Sequence, residues 1–145
     1  MANMFTKCEK LTSIDVSNFY TSNVINIKNM FTACRSLTSI DISHFNTSQV
    51  TNMNKMFDRC NSLLYLNVSS FNTEKVSDFG QMFSGFTALE SLDLSNFNTS
   101  QTINLEEIFY DYLSLTSLDL SKFNTTNVFS MISIFEGCSN LTYIN

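Results

Sequence analysis

The sequence contains no proline and no tryptophan, and only three glycines and one histidine in 145 residues. Average usage would give roughly 17 glycines and prolines together, so another residue class has to turn the chain. Asn, Ser and Thr supply 54 residues, and their side chains close turns by bonding to nearby backbone groups. A single histidine also leaves little for Ser/His/Asp or Cys/His catalysis, so we expect no enzyme and no cofactor.

Charge is scarce too, at 14% of residues with a net charge of −5. The eight basic residues are scattered and form no stripe of the kind that nucleic-acid binding requires. No apolar run approaches the ~18 residues of a membrane span, and the N-terminus lacks the hydrophobic segment of a secretory signal. We therefore expect neither a nucleic-acid partner nor membrane insertion.

A repeat of 26 residues runs through the whole chain without insertion or deletion. Such a repeat cannot bury its apolar side chains alone, so copies have to stack. We predict one domain over residues 1–145, with about five and a half repeats and no distinct caps. End-to-end association of copies is one consequence we consider. Leucine marks one column of the repeat at Leu11, Leu37, Leu63, Leu89, Leu115 and Leu141.

Two periodicities within each repeat predict its secondary structure. Residues 37–43 alternate apolar and polar side chains, which is typical of a strand with one buried face. In residues 50–60 the apolar side chains are spaced by three or four, which predicts a short helix, with Thr47 or Ser48 as its N-cap. The predicted fold is an α/β solenoid with a parallel β-sheet on one face and short return helices on the other. The phenylalanine column from Phe19 to Phe123 is expected to form a stacked aromatic spine between them.

All four cysteines occupy a single column of the repeat. In two other repeats this column holds Phe86 and Tyr112, which indicates a buried apolar position. We favour reduced core thiols, with disulfides between neighbouring repeats and a metal site as the alternatives. The cysteines are Cys8, Cys34, Cys60 and Cys138.

The polar side of the predicted sheet is the main candidate binding face. Acidic or amide residues form its centre, and serines or tyrosine flank them. A protein or glycan partner, a calcium ladder and a merely solvated row are the three interpretations, and calcium would need six to eight oxygens around it. The face consists of Ser13, Asp15, Ser17, Ser39, Asp41, Ser43, Tyr65, Asn67, Ser69, Ser91, Asp93, Ser95, Ser117, Asp119 and Ser121.

A second candidate is the acidic and aromatic patch formed by Glu106, Glu107, Tyr110 and Asp111, beside the fifth predicted return helix. Acidic and aromatic residues together can mark a binding patch. A charged run on the outer side of a helix is more often a solvated face, however.

The repeat unit resembles that of BspA-like leucine-rich repeat surface proteins. The resemblance lies in the pattern FNTSxVxxMxxMF, then a cysteine, then LTSLDLS, and it covers nearly the whole chain. It implies a leucine-rich repeat horseshoe at a cell surface or in a secreted protein, acting in adhesion. Together with the residues, it predicts a non-catalytic module that recognises a protein through its sheet face. The alternative is a structural element that stacks end to end into filaments or oligomers.

Overall fold

The computed structural model describes residues 1–145 and contains no helix. Its two strands are β1, Ser117–Leu118, and β2, Tyr143–Ile144, and they pair in parallel. The predicted α/β solenoid, with its parallel sheet and return helices, is therefore wrong. The leucine-rich repeat horseshoe that the resemblance implied is wrong for the same reason.

The chain instead winds into coils of 26 residues, each stacked on the next. Isolated parallel bridges join Asn26 to Asn52, Asn52 to Asp78, and Asp78 to Asn104, always one repeat apart. Of 63 backbone–backbone hydrogen bonds, 62 lie in turns or run between coils outside regular elements. The stack is thus held by turn geometry and by bonds along its axis.

The segments predicted as helices are successions of tight turns. In residues 53–60 the N–H of Met56 donates to the carbonyl of Met53 at 3.1 Å, and the N–H of Cys60 donates to that of Phe57 at 3.1 Å. Lys55 and Arg59, the third residues of these turns, have φ of 56° and 57°. Left-handed residues are incompatible with a right-handed helix and are typical of type II turns. Each turn has four residues and joins two positions three apart whose apolar side chains point inward, which produces the helix-like spacing in the sequence.

These turns form what we call the turn wall, residues 27–34 and their equivalents in the other coils. In residues 27–34 alternate N–H groups donate to the next coil at 2.7–3.1 Å, and the intervening ones bond within their own coil. Every N–H from residue 27 to residue 34 therefore has an acceptor, which is what a buried backbone requires. The bonds along the axis run from Ile27 to Asn52, Asn29 to Asn54, Phe31 to Met56, and Ala33 to Asp58.

The segments predicted as strands alternate in burial but pair little. Ile40 and Ile42 are buried, and the polar residues between and beside them are exposed. Between the first two coils, however, this segment has one backbone bond, from the N–H of Thr38 to the carbonyl of Thr12 at 3.1 Å. The side chain of Asp41 then accepts the N–H of Ser43, and this turn ends the extended stretch. The alternation of apolar and polar residues thus predicted correctly which side chains are buried. The segments nevertheless lack the ladder of hydrogen bonds that defines a β-sheet.

A phenylalanine stack fills the core, but it is not the predicted one. Neighbouring rings in the stack lie 5.5–6.4 Å apart between centroids, at 7–8° between planes. In the predicted column Phe45, Phe71 and Phe97 are buried as expected, yet Phe97 packs on Phe79 and Phe83 instead of on its own column. The stack consists of Phe5, Phe31, Phe57, Phe83, Phe109 and Phe135.

In four corners a buried threonine joins one coil to the next, namely Thr21, Thr47, Thr73 and Thr99. The hydroxyl of Thr47 donates to the carbonyl of Asn72 at 2.8 Å and accepts the N–H of the same residue at 2.8 Å. Thr73 makes the same pair of bonds to Asn98, at 3.1 and 2.8 Å. The prediction that Thr47 or Ser48 caps a helix is wrong, because the helix is absent. The hydroxyl of Thr47 bonds to the neighbouring coil instead.

The left-handed positions lead to an unusual prediction about glycine. Lys55 has a φ of 56°, whereas Lys28 occupies a turn position without a positive φ. We expect Lys55→Gly to raise the free energy of unfolding by about 0.5–1 kcal/mol, because glycine adopts the left-handed region without a Cβ clash. Lys28→Gly is the control and should lower it by about 0.5–1 kcal/mol. Urea unfolding measures both, and a loss of stability in Lys55→Gly would contradict the turn geometry.

Candidate functional site

The candidate binding face lies on the outside of the stack. All fifteen of its residues are exposed, on one side of the extended segments. Its centre is what we call the acidic row, in which each side chain closes a turn. Its Oδ1 accepts the backbone N–H two residues later at 2.8–3.0 Å. The acidic row consists of Asp15, Asp41, Asn67, Asp93 and Asp119.

These hydrogen bonds favour the charged form of the carboxylates. They lower the pKa of Asp15, Asp93 and Asp119 mainly through the N–H of the serine two residues later. The pKa of Asp41 is lowered chiefly by the hydroxyl of Ser43 and then by its N–H. The four aspartates of the acidic row are therefore held in their charged form by the turns that they close.

Apolar side chains stand beside the acidic row. Tyr65 is 67% exposed and lies two residues before Asn67, and Leu64 is 66% exposed. Asn67 makes the same turn as the aspartates through its amide oxygen. The turn therefore needs an oxygen acceptor and not a charge, so the four carboxylates are free to serve another purpose.

The second candidate patch is divided by the structure. Glu107, Tyr110 and Asp111 line a cleft of about 380 Å³ on the outer side of the turn wall. Glu106 does not line this cleft but borders a separate recess beside Gly80. Leu113 of the same coil also lines the cleft, and the other lining residues come from other coils: Arg35, Asp58, Arg59, Asn61, Gln81, Ser84, Gly85 and Thr87.

Asp58 is the buried carboxylate of this cleft, and the residue pattern did not single it out. Its side chain is 11% exposed, and its Oδ1 lies 3.9 Å from Nε of Arg59. Burial raises the pKa of Asp58, and the nearby Arg59 and the hydroxyl of Ser84 partly oppose that effect. The sequence contained one indication of Asp58: it replaces a hydroxyl residue, since the same column holds Thr6, Thr32 and Ser84 in other repeats.

Asp78 is a second carboxylate that the sequence interpretation missed. It stands in a column of asparagines and accepts hydrogen bonds from the side-chain amides of Asn52, Asn54 and Asn104 at 3.0–3.2 Å. The N–H of Gly80 donates to it as well, at 3.0 Å. With four donors around it, this carboxylate acts as a structural link between three coils.

The cysteine column is buried in the middle of the stack. The thiols of Cys34 and Cys60 are buried and donate to the carbonyls of Phe5 and Phe31 in the preceding coils, each at 3.2 Å. All four cysteines are free thiols. The structure contains no cluster of His, Cys, Asp and Glu that could hold a metal ion.

Thiol reactivity should follow burial. Desolvation raises the pKa of Cys34 to about 11, whereas Cys8 is exposed. We expect iodoacetamide at pH 8 to alkylate Cys8 in the folded protein and to leave Cys34 and Cys60 unmodified until unfolding. Mass spectrometry of the digested protein reads this out, with a sample in urea as the control. Equal alkylation of Cys8 and Cys34 in the folded protein would contradict the buried column.

The structure has no helix with the length and apolar character of a membrane span. No curated protein and no solved structure matches the chain. One family does match it, over residues 1–91 and again over residues 62–144. Since these two ranges together cover residues 1–144, the chain belongs to the family described as Mycoplasma protein of unknown function, DUF285.

Proposed function

We propose that this protein is a non-catalytic binding module that recognises a basic protein surface through the acidic row. The observation that carries the proposal is the line of exposed carboxylates held in place by turns of identical geometry. Each aspartate uses Oδ1 for its turn, so Oδ2 remains available to a partner. Because the turns already fix the side chains, binding would cost little conformational entropy.

The spacing of the charges suits an extended partner. Neighbouring coils whose backbones are hydrogen-bonded lie about 4.8 Å apart, so the acidic row presents a charge at nearly every coil step. Tyr65 and Leu64 add apolar contact area in the middle of the face. Aromatic residues surrounded by charge are typical of protein interfaces, and complementary charge also accelerates association.

The net charge of −5 supports the same choice of partner, because it favours cationic surfaces over nucleic acid. The resemblance to BspA-like surface proteins supports a place at the cell surface or outside the cell, and a role in adhesion. A glycan partner is the competing outcome for this face, since serines and tyrosine also bind sugars. Its binding would depend on hydroxyl groups and much less on the carboxylates.

The test separates the charge from the turn. A random peptide library displayed on phage is selected on the immobilised protein and on the variant Asp41→Asn/Asp93→Asn/Asp119→Asn. Asn67 shows that an amide oxygen makes the same turn, so the variant should keep the fold and lose three charges. We expect lysine- and arginine-rich peptides to be enriched on the wild type and to bind the variant at least about tenfold more weakly.

A matched control removes the same charge elsewhere. Glu9→Gln/Glu74→Gln/Glu136→Gln also deletes three exposed carboxylates, none of them in the acidic row or in the columns beside it. We expect this control to bind the selected peptides nearly as well as the wild type. If it loses as much affinity as the acidic-row variant, attraction is due to net charge and the proposal fails.

The alternative function, end-to-end stacking of copies, rests on one observation. In the turn wall every backbone–backbone hydrogen bond along the axis runs from an N–H of one coil to a carbonyl of the next, for instance from Phe57 to Met82 at 3.1 Å. This polarity makes the two sides of a coil complementary, as head-to-tail stacking requires. A molar mass that rises with concentration in light scattering would support stacking, and a constant mass would contradict it.

A further inference from the structure

A notch one coil wide interrupts the outer side of the turn wall at Ser84 and Gly85. It is the centre of the cleft of about 380 Å³. That volume falls within the range of small-molecule sites, which begins at about 300 Å³. The coils before and after carry long side chains in the same two columns of the repeat, namely Asp58 and Arg59 before it, and Tyr110 and Asp111 after it.

Gly85 keeps the floor of the notch open. Its φ is 75°, and a Cβ added there would lie 3.2 Å from Cγ and 3.3 Å from Cα of Arg59. A side chain at this position would therefore be strained both by its own backbone and by the coil before it. Ser84 beside it is buried and small. The floor is thus backbone and one hydroxyl, with side chains rising only at its sides.

The two walls differ in chemistry. Asp58, Arg59 and Asn61 make one wall entirely polar. The other wall contributes the two apolar surfaces of the cleft, the ring of Tyr110 and the side chain of Leu113. A ligand that fills this space needs one apolar side and one hydrogen-bonding edge.

The charges of the lining exclude a strongly charged ligand. An anion would face the three carboxylates of the lining, Asp58, Glu107 and Asp111. The negative charge here also raises the pKa of Tyr110, chiefly through Asp111, and then through Glu136, which lies outside the lining, and through Glu107. A cation would face the guanidinium groups of Arg35 and Arg59. A neutral ligand whose groups both donate and accept hydrogen bonds suits both kinds of neighbour.

We infer that the notch binds one ring of a neutral saccharide. The ring would lie with a C–H face on Tyr110 and with its hydroxyl groups toward Asp58 and Arg59. A pyranose ring combines these features, since its C–H groups pack on aromatic faces and each hydroxyl donates and accepts.

Asp58 is the hydrogen-bond acceptor that would orient the ligand in the notch. The nearest cationic atom, Nε of Arg59, is 3.9 Å away, which is longer than a hydrogen bond. The hydroxyl of Ser84 bonds to this carboxylate. Because a carboxylate has about four lone-pair positions, it keeps acceptor capacity for the hydroxyl groups of a ligand. Hydrogen bonds to a charged, largely buried acceptor are stronger than those between neutral groups.

This site is independent of the acidic row, because the two surfaces share no residue. The experiment is an NMR titration of the ¹⁵N-labelled full chain with the methyl glycosides of glucose, galactose, mannose and N-acetylglucosamine. At least one of them should produce saturable shifts at the amides of residues 58–61, 84–87 and 110–113. We expect no such shifts from sodium phosphate or L-arginine at the same concentrations.

Two variants test the walls separately. Asp58→Asn removes the charged acceptor at constant shape, and Tyr110→Ser removes the aromatic face; each should weaken binding by about tenfold. Tyr20→Ser is the matched control, because Tyr20 is 95% exposed and lies outside the cleft, and it should leave the affinity unchanged. The remaining amide signals report whether each variant is folded.

Several results would overturn the inference. They are the absence of saturable shifts with all four glycosides, shifts confined to amides outside the notch, or unchanged affinity in Tyr110→Ser. Stronger shifts with phosphate or arginine would also overturn it, because the site would then select charge. Since the acidic row is untouched by these variants, failure here leaves the peptide-binding test of the proposed function unaffected.

Discussion

Replacing Phe57 by alanine is expected to lower the free energy of unfolding by about 3–5 kcal/mol. Phe57 is fully buried and stacks between Phe31 and Phe83, with centroids 5.7 and 6.4 Å away. The substitution opens a cavity in the middle of the stack and removes two ring pairs, each worth about 0.5–1.5 kcal/mol beyond burial. Urea unfolding followed by circular dichroism measures the change.

Phe129→Ala is the matched control, because Phe129 is 96% exposed in the same fold. Its unfolding free energy should stay within about 0.5 kcal/mol of the wild type. Phe57→Leu keeps most of the volume and should cost less than alanine. A loss below about 1 kcal/mol in Phe57→Ala would place the core elsewhere.

The second large effect is expected at a threonine that joins two coils. Thr73→Val has nearly the same shape but lacks the hydroxyl that bonds both the N–H and the carbonyl of Asn98. Because Thr73 is almost fully buried, the two backbone groups would lose their partner where water has little access. We expect the free energy of unfolding to fall by about 2–6 kcal/mol, at about 1–3 kcal/mol for each of the two unsatisfied groups.

Thr73→Ser keeps the hydroxyl and tests whether the bonds matter more than the methyl group. It should cost about 1 kcal/mol, the value of one buried methyl group. Thr51→Val, at an exposed threonine, should change stability by less than about 0.5 kcal/mol. Equal losses in Thr73→Val and Thr73→Ser would show that the hydrogen bonds between coils contribute little.

The sequence predicted burial better than it predicted backbone conformation. The spacing of Met53, Met56, Phe57 and Cys60 fits one face of a helix, and all four are buried. The same spacing arises from turns whose first and last residues are three apart, so it does not distinguish a helix from a series of turns. The positive φ of Lys55 shows that the segment is a series of turns and not a helix. Propensity scales rank lysine as a good helix former and do not predict the left-handed conformation that it adopts here.

The candidate sites too could be predicted from the sequence only in part. The acidic row was visible because its members recur in one column, and the structure exposes all of them on one face. The cleft was visible only in part, since Glu107, Tyr110 and Asp111 stand near one another in sequence. Asp58 and Gly85 join them from other coils, and no pattern within a single repeat brings them together.

By itself, the sequence determined the 26-residue step, the columns that face the core, and the use of Asn, Ser and Thr in the corners. These properties depend on the side chains alone, because solvation sorts apolar from polar residues in any compact backbone. Only the tertiary structure decided that the repeat is a coil of turns without helices. That choice depends on hydrogen bonds between residues one repeat apart, such as Phe31 to Met56 at 2.9 Å, which exist only once the coils have stacked.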